Sequence, residues 1–401
     1  MMLPARPKSS ASLAWFSGLC TWIFGGLMLS GGLIANDVIR FEEQTIDADV
    51  GKVCYAVTLS DINNDDRPDI VAVTESRVVW YENPTWTMRV MIQDQTPADN
   101  VCIAPMDIDQ DGKIDFAVGA GWTKRGTLHW ITRGATLDDR WSVYSIGEES
   151  WLHRARWADV LGKGRPQLVI SPLNATTGSG VRLMAFEIPA DPKTDRWQSI
   201  VLSEELNRMH NHWHVDFDGD GAIDTLTASQ EGLKLIQRIG DMFATRHLGD
   251  GADAPDAAMR GAGEIKIGSL SGQKRFLTAV EPMHGHSLTV YTEPEDATSK
   301  WNRMVIDEGF QRGHGLWTAD LNGDGSDEVI FGHSDTPGKF GVIVYSCAGD
   351  DSAKWSRHVV DEGGIATEDL VVGDVNGDGR PDIVAGGRAT HNVKLYLNRI
   401  K

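Results

Sequence analysis

From residue 39 onward, short apolar runs alternate with polar, glycine-containing turns, and no stretch keeps a 3.6-residue apolar period. The strongest unit is an acidic turn followed by an apolar run of strand length. It occurs as DINNDDRPDIVAV from Asp61, DIDQDGKIDFAVG from Asp107, DFDGDGAIDTLTA from Asp216, DLNGDGSDEVIFG from Asp320 and DVNGDGRPDIVAG from Asp374. Weaker copies, DVLGKGRPQLVIS from Asp159 and GSLSGQKRFLTAV from Gly268, complete seven units at intervals of roughly fifty residues. In step with them run aromatic–aliphatic pairs five residues apart: Phe41/Ile46, Trp86/Met91, Trp141/Ile146, Trp197/Leu202, Phe243/Leu248, Trp301/Ile306 and Trp355/Val360. A further short strand ends near an aromatic, as in VVWY (78–81), LTVY (288–291), VIVY (342–345) and VKLY (393–396). Four strands per unit and seven units predict an all-β, seven-bladed β-propeller over residues 36–401. The chain enters on an aromatic strand and ends on the VKLY strand. Its first strand is therefore expected to complete the last blade and close the ring.

The acidic turns carry their own chemistry. Oxygen ligands at alternate positions of a tight turn point inward and can surround a hard cation, with a downstream acid closing the shell. Asp107, Asp109, Asp111 and Asp115 have this spacing, as do Asp216, Asp218, Asp220 and Asp224. Asp320, Asn322, Asp324 and Glu328 repeat it, as do Asp374, Asn376, Asp378 and Asp382; Asp61, Asn63, Asp65 and Asp69 form a fifth set without the glycine. Up to five structural calcium ions are expected. Lys163 stands where the Asp159 copy needs an acid, and the Gly268 copy has none, so neither should bind.

Ahead of the repeats, Arg6 and Lys8 precede an uncharged stretch from about Leu13 to Ala35. This is the layout of a secretory signal over residues 1–35, and it is also long enough for an uncleaved anchor. Either way residues 36–401 are expected outside the cytoplasm, secreted, periplasmic or on the cell surface, with membrane contact only if the segment stays uncleaved. A formal charge of -19, from 38 Lys+Arg and 57 Asp+Glu, argues against a nucleic-acid partner. Beyond Cys20 there remain Cys54, Cys102 and Cys347, an odd number that leaves both a Cys54–Cys102 bridge and buried free thiols open.

Histidines fall in register. Six residues before the first loop acid stand His153, His210, His314 and, in a fourth blade, Glu368; Tyr55 holds the same place in the first blade. Equivalent positions of a ring converge on its axis. The turns on that same face carry His284, His286, His333 and His391, and Arg154, Arg156, Arg208, Arg260 and Arg312 lie in or near these loops. Neutral imidazoles from several blades suit zinc or another divalent metal with an open position, with His210, His314 and Glu368 as ligands. Alternation in HNHWH gives His210, His212 and His214 as another candidate set, while His247 and His358 read as structural. A histidine-lined rim that binds ligand without metal is the alternative. Serine-nucleophile, phosphate-loop and dinucleotide motifs do not stand out.

The acidic repeats resemble FG-GAP/VCBS repeats over nearly all of residues 39–398, which implies a propeller and calcium. Three segments resemble more specifically the propeller part of aldos-2-ulose dehydratase/isomerase: WLHRARWADV (151–160), EPMHGHSLTVYTEP (281–294) and VVWYENPTWTMRVMI (78–92). That family dehydrates cyclic keto-sugars at a metal-bearing site that uses propeller histidines. The matching positions are Leu152-His153-Arg154, His284-Gly285 and His314. The chemistry needs a base, here His153 (or a ligand role for it), Arg154 to stabilise an enolate, and His284 as proton donor. The cupin domains that follow the propeller in that family have no counterpart before Lys401. The sequence thus reads as a carbohydrate lyase (dehydratase) or isomerase, or alternatively as a non-catalytic propeller that binds carbohydrate or protein.

Overall fold

The computed structural model describes residues 39–400 except 124, 176–177, 272–273, 336–337 and 348–353, so the expected leader lies outside the described residues. Among the described residues, 28 strands form seven four-stranded antiparallel sheets, and Ala257–Met259 forms a 3-10 turn. The fold is the expected all-β, seven-bladed propeller. The innermost strands of blades 1 to 7 are Cys54–Ser60, Cys102–Met106, Leu152–Ala158, Asn211–Val215, Glu264–Leu270, Gly313–Ala319 and Thr367–Gly373. These strands neighbour one another in turn, and that of blade 7 lies beside that of blade 1.

Each blade runs outward strand by strand. The second strands, such as Asp69–Thr74 and Asp382–Gly387, are buried along their whole length because a neighbouring sheet covers each face. Outer strands such as Thr87–Gln93 keep an exposed side. The cores therefore lie between blades: Val71, Val73 and Trp80 of blade 1 pack with Phe116, Val118 and Trp141 of blade 2. In blade 7 the outer strand is Phe41–Asp47, which pairs antiparallel with Val393–Asn398 and sets Phe41 opposite Asn398. Lys394 Nζ fastens this edge, 2.5 Å from Glu43 and 3.0 Å from Asp361.

Every acidic turn is wound on its first Asp. Asp107 accepts the N–H groups of Asp111 and Gly112, and Asp374 those of Asp378 and Gly379; the Asp159 copy does the same with Lys163 and Gly164. The closing acid bonds back to the residue after that Asp, Asp115 to Ile108 N and Glu328 to Leu321 N. The carbonyl of that same residue then receives a donor from the following blade. Arg133 reaches Ile62 O at 2.5 Å, Arg165 reaches Ile108 O at 2.9 Å, Asn398 reaches Leu321 O at 2.7 Å, and Asn83 reaches Val375 O at 2.7 Å, while Arg275 does so for Phe217. Each of the five acidic loops is thus tied to the next blade. Cys54 and Cys102 are buried free thiols, so no Cys54–Cys102 bridge forms, and Cys347 is buried as well.

Candidate functional site

The register noticed in the sequence has a structural cause. In blades 1, 3, 6 and 7 the inner strand and its partner slip by one residue near the start of the inner strand. The extra residue at each slip is Tyr55, His153, His314 and Glu368 respectively. A bulge leaves its extra residue out of the ladder and re-aims the side chain. His210 stands just before the inner strand of blade 4, and His284 in the turn after the second strand of blade 5.

Four imidazoles meet there. His210 Nε2 lies 3.0 Å from His153 Nε2 and 2.8 Å from His284 Nε2, and the His210 and His314 rings are 4.9 Å apart. Ring nitrogens of His153, His210 and His314 all lie within 4.8 Å of one another. His210 Nδ1 faces Gly263 O at 3.1 Å and Glu264 Oε1 at 2.9 Å, so the proton sits on Nδ1 and Nε2 carries the lone pair. Arg312 donates to His284 Nδ1 at 3.2 Å, which places the His284 proton on Nε2. Two imidazole nitrogens therefore crowd one lone pair, while His153 Nδ1 and both nitrogens of His314 are buried without a hydrogen-bond partner. Burial first, then the neighbouring cationic groups, holds His153, His284 and His314 well below the usual imidazole range. Neutral rings, orphaned nitrogens and a carboxylate behind one of them are what a zinc-type ion requires.

The remaining predicted residues divide. Arg154 is buried and paired with Glu264 at 2.9 Å, so its guanidinium is spent on the carboxylate that orients His210. Burial alone would raise the Glu264 carboxyl, but Arg154 and His210 hold it well below the usual range. Glu368 lies between Arg388 (2.5 Å) and Arg312 (3.4 Å) and is 3.8 Å from His314 Nε2. His212 bonds Ser171 Oγ and His214 bonds Thr225 Oγ1, so the HNHWH alternation does not gather His210 with them. His286 and His391 are exposed, and His333 packs on Phe331. Sequence reasoning missed Glu264 and the half-buried Trp122 and Trp151, which meet edge to face at 5.7 Å beside His153. Glu264 belongs to the blade whose loop has lost its acids, so nothing there anchored the register.

In two of the acidic loops the carboxylates converge: Asp107, Asp109 and Asp115, and Asp216, Asp218 and Asp220, each within 4.8 Å. Asp109 Oδ1 is buried without a partner, which fits an oxygen ligand. In the other three, an amide of Asn63, Asn322 or Asn376 donates to Asp65, Asp324 or Asp378 at 3.1–3.2 Å.

Comparison with known proteins agrees with the propeller fold. The family model for the β-propeller domain of aldos-2-ulose dehydratase matches residues 125–294, which include His153, His210, Glu264 and His284. An FG-GAP-like repeat model matches residues 61–118 and 320–385. Aldos-2-ulose dehydratase of Phanerodontia chrysosporium is 26% identical over 277 residues, covering 61% of this chain; the match spans 30% of that protein's length. The solved structure of BBS1N in complex with ARL6DN, soaked with lead, superposes with a TM-score of 0.54 at 12% identity, covering 90% of this chain and 97% of that one; it bears on fold alone. The chain is a seven-bladed propeller with FG-GAP-like repeats that resembles the propeller part of aldos-2-ulose dehydratase.

Proposed function

We propose that this protein is an exported, metal-assisted lyase or isomerase acting on a keto-sugar at the imidazole cluster. The observation that carries the reading is the convergence of His153, His210 and His314 with unpartnered nitrogens, one ring being fixed by Glu264. These three would hold a divalent ion such as zinc. When bound, the ion supplies positive charge to the oxygen of a substrate carbonyl. Once the Arg312 guanidinium turns to the substrate, the partly exposed His284 takes the proton next to the carbonyl on Nδ1, the nitrogen that accepts from Arg312 in the free site. It then returns that proton to the neighbouring hydroxyl, which leaves as water while the carbon–carbon double bond forms. Arg154 acts behind the site by holding Glu264, and the edge-to-face pair of Trp122 and Trp151 offers an aromatic corner to a sugar ring. The acidic loops take calcium as a structural ion, and the charged-then-apolar leader supports export. The -19 charge speaks against nucleic acid as a partner.

The test is elemental analysis after dialysis against metal-free buffer, followed by a keto-sugar elimination screen read by absorbance of the conjugated product. Calcium plus about one zinc-type ion per chain is expected, with the second metal lost in His153→Ala/His314→Ala. His284→Ala should keep that metal and lose turnover. Calcium alone, with no elimination of any keto-sugar, would overturn the lyase reading in favour of a carbohydrate- or protein-binding propeller.

A further inference from the structure

Beyond the Arg154–Glu264 pair, the second half of the inner strands encloses a cavity of about 360 Å³ in the channel. Its walls include Arg156, Lys266, Asp369 and three tryptophans, Trp157, Trp213 and Trp317. Lys266 is 3% exposed, yet its ammonium reaches only the Ile265 carbonyl, at 3.5 Å. Arg156 donates to the His212 carbonyl at 2.9 Å and to Asn211 Oδ1 at 3.2 Å, both uncharged. Neither has a carboxylate within 4.0 Å among the described residues. Of the two acids in the lining, Glu264 is committed to Arg154, and Asp369 accepts the Val57 N–H. Both free cations lie over one ring: the Lys266 ammonium is 4.3 Å from the Trp213 centroid and Arg156 Cζ is 4.7 Å from it, with Trp317 set edge-on at 5.4 Å.

A buried cation without a counter-charge is costly unless a ligand supplies one. Aromatic faces beside such cations suit the C–H face of a sugar ring, and the volume is in the range of small-ligand sites. We infer that this cavity is a second, metal-independent site for a sugar acid, its carboxylate held by Arg156 and Lys266 and its ring against Trp213 and Trp317. Burial, with Arg156 adding to it, pushes the Lys266 ammonium down to about 7, in keeping with a cation that lacks its partner.

Isothermal titration with sodium glucuronate, and with glucose as the neutral control, tests the site. Saturable glucuronate binding at least about tenfold tighter than glucose is expected. Lys266→Met and Arg156→Gln should each weaken it by about tenfold or more, while His314→Ala leaves it unchanged. Equal affinity for the two sugars, no glucuronate binding, or undiminished binding by Lys266→Met would overturn the inference. Should Lys266→Met fail to fold, Arg156→Gln and the comparison of sugars on the wild-type protein decide. Intact glucuronate binding without keto-sugar turnover would count against the lyase reading alone.

Discussion

Lys266 shows how one side chain sets both a binding property and a stability profile. Its facing groups are Arg156 and Arg154 on one side of the balance, and Glu264 and Asp369 on the other. With its folded pKa near 7 and its unfolded value near 10.4, the unfolded chain binds more protons between those limits. Stability therefore rises as pH climbs from about 7 to about 10, by up to about 5 kcal/mol. Lys266→Met should flatten that rise in urea melts taken across this range and be the more stable protein at pH 7. A rise that persists in the variant would assign it to another group. The histidines were easier to read from sequence than Lys266. A loop acid six residues downstream anchors His153, His210 and His314, whereas Lys266 and Glu264 precede the one loop without acids. Arg154 was legible as part of the site but not in its role, because pairing with Glu264 depends on a residue 110 positions away.

Among the elements, the glycines of the second strands decide how closely blades approach. A Cβ on Gly386 of blade 7 would meet Cys54 Sγ of blade 1 at 2.6 Å and Val57 Cγ1 at 3.0 Å. Gly386→Val should cost about 1–3 kcal/mol by overpacking, measured by chemical denaturation, and a neutral result would show that the blades can part there. The loops make a second prediction. Asp218→Ala should remove one bound calcium and lower the melting temperature, while Lys163→Ala, which breaks only the pair with Glu187, leaves the calcium count unchanged. Equal calcium in wild type and Asp218→Ala would dismiss that loop. Strand number and order were legible because apolar runs and turns repeat. The bulges were not, since one extra residue leaves no trace in the apolar pattern.

For the molecule as a whole, stability depends on how the blades are joined around the ring. Asn83 is buried and donates to Pro68 O at 2.9 Å and Val375 O at 2.7 Å, tying blade 1 to the loop of blade 7. Asn83→Ala should cost about 1–3 kcal/mol by leaving those carbonyls unpaired, seen as a lower denaturation midpoint with an unchanged slope. Removal of residues up to 47 would uncover the Val393–Asn398 edge, and aggregation on size-exclusion chromatography is the expected result.

The bulges also separate two tasks that most strands must share. Because Tyr55, His153, His314 and Glu368 stand outside the ladder, exchanging one of them alters what faces the axis without shifting a single cross-strand pair. The seven blades thus resemble a keyboard with a few raised keys, and the chemistry of the channel can be rewritten one key at a time while the frame remains in tune.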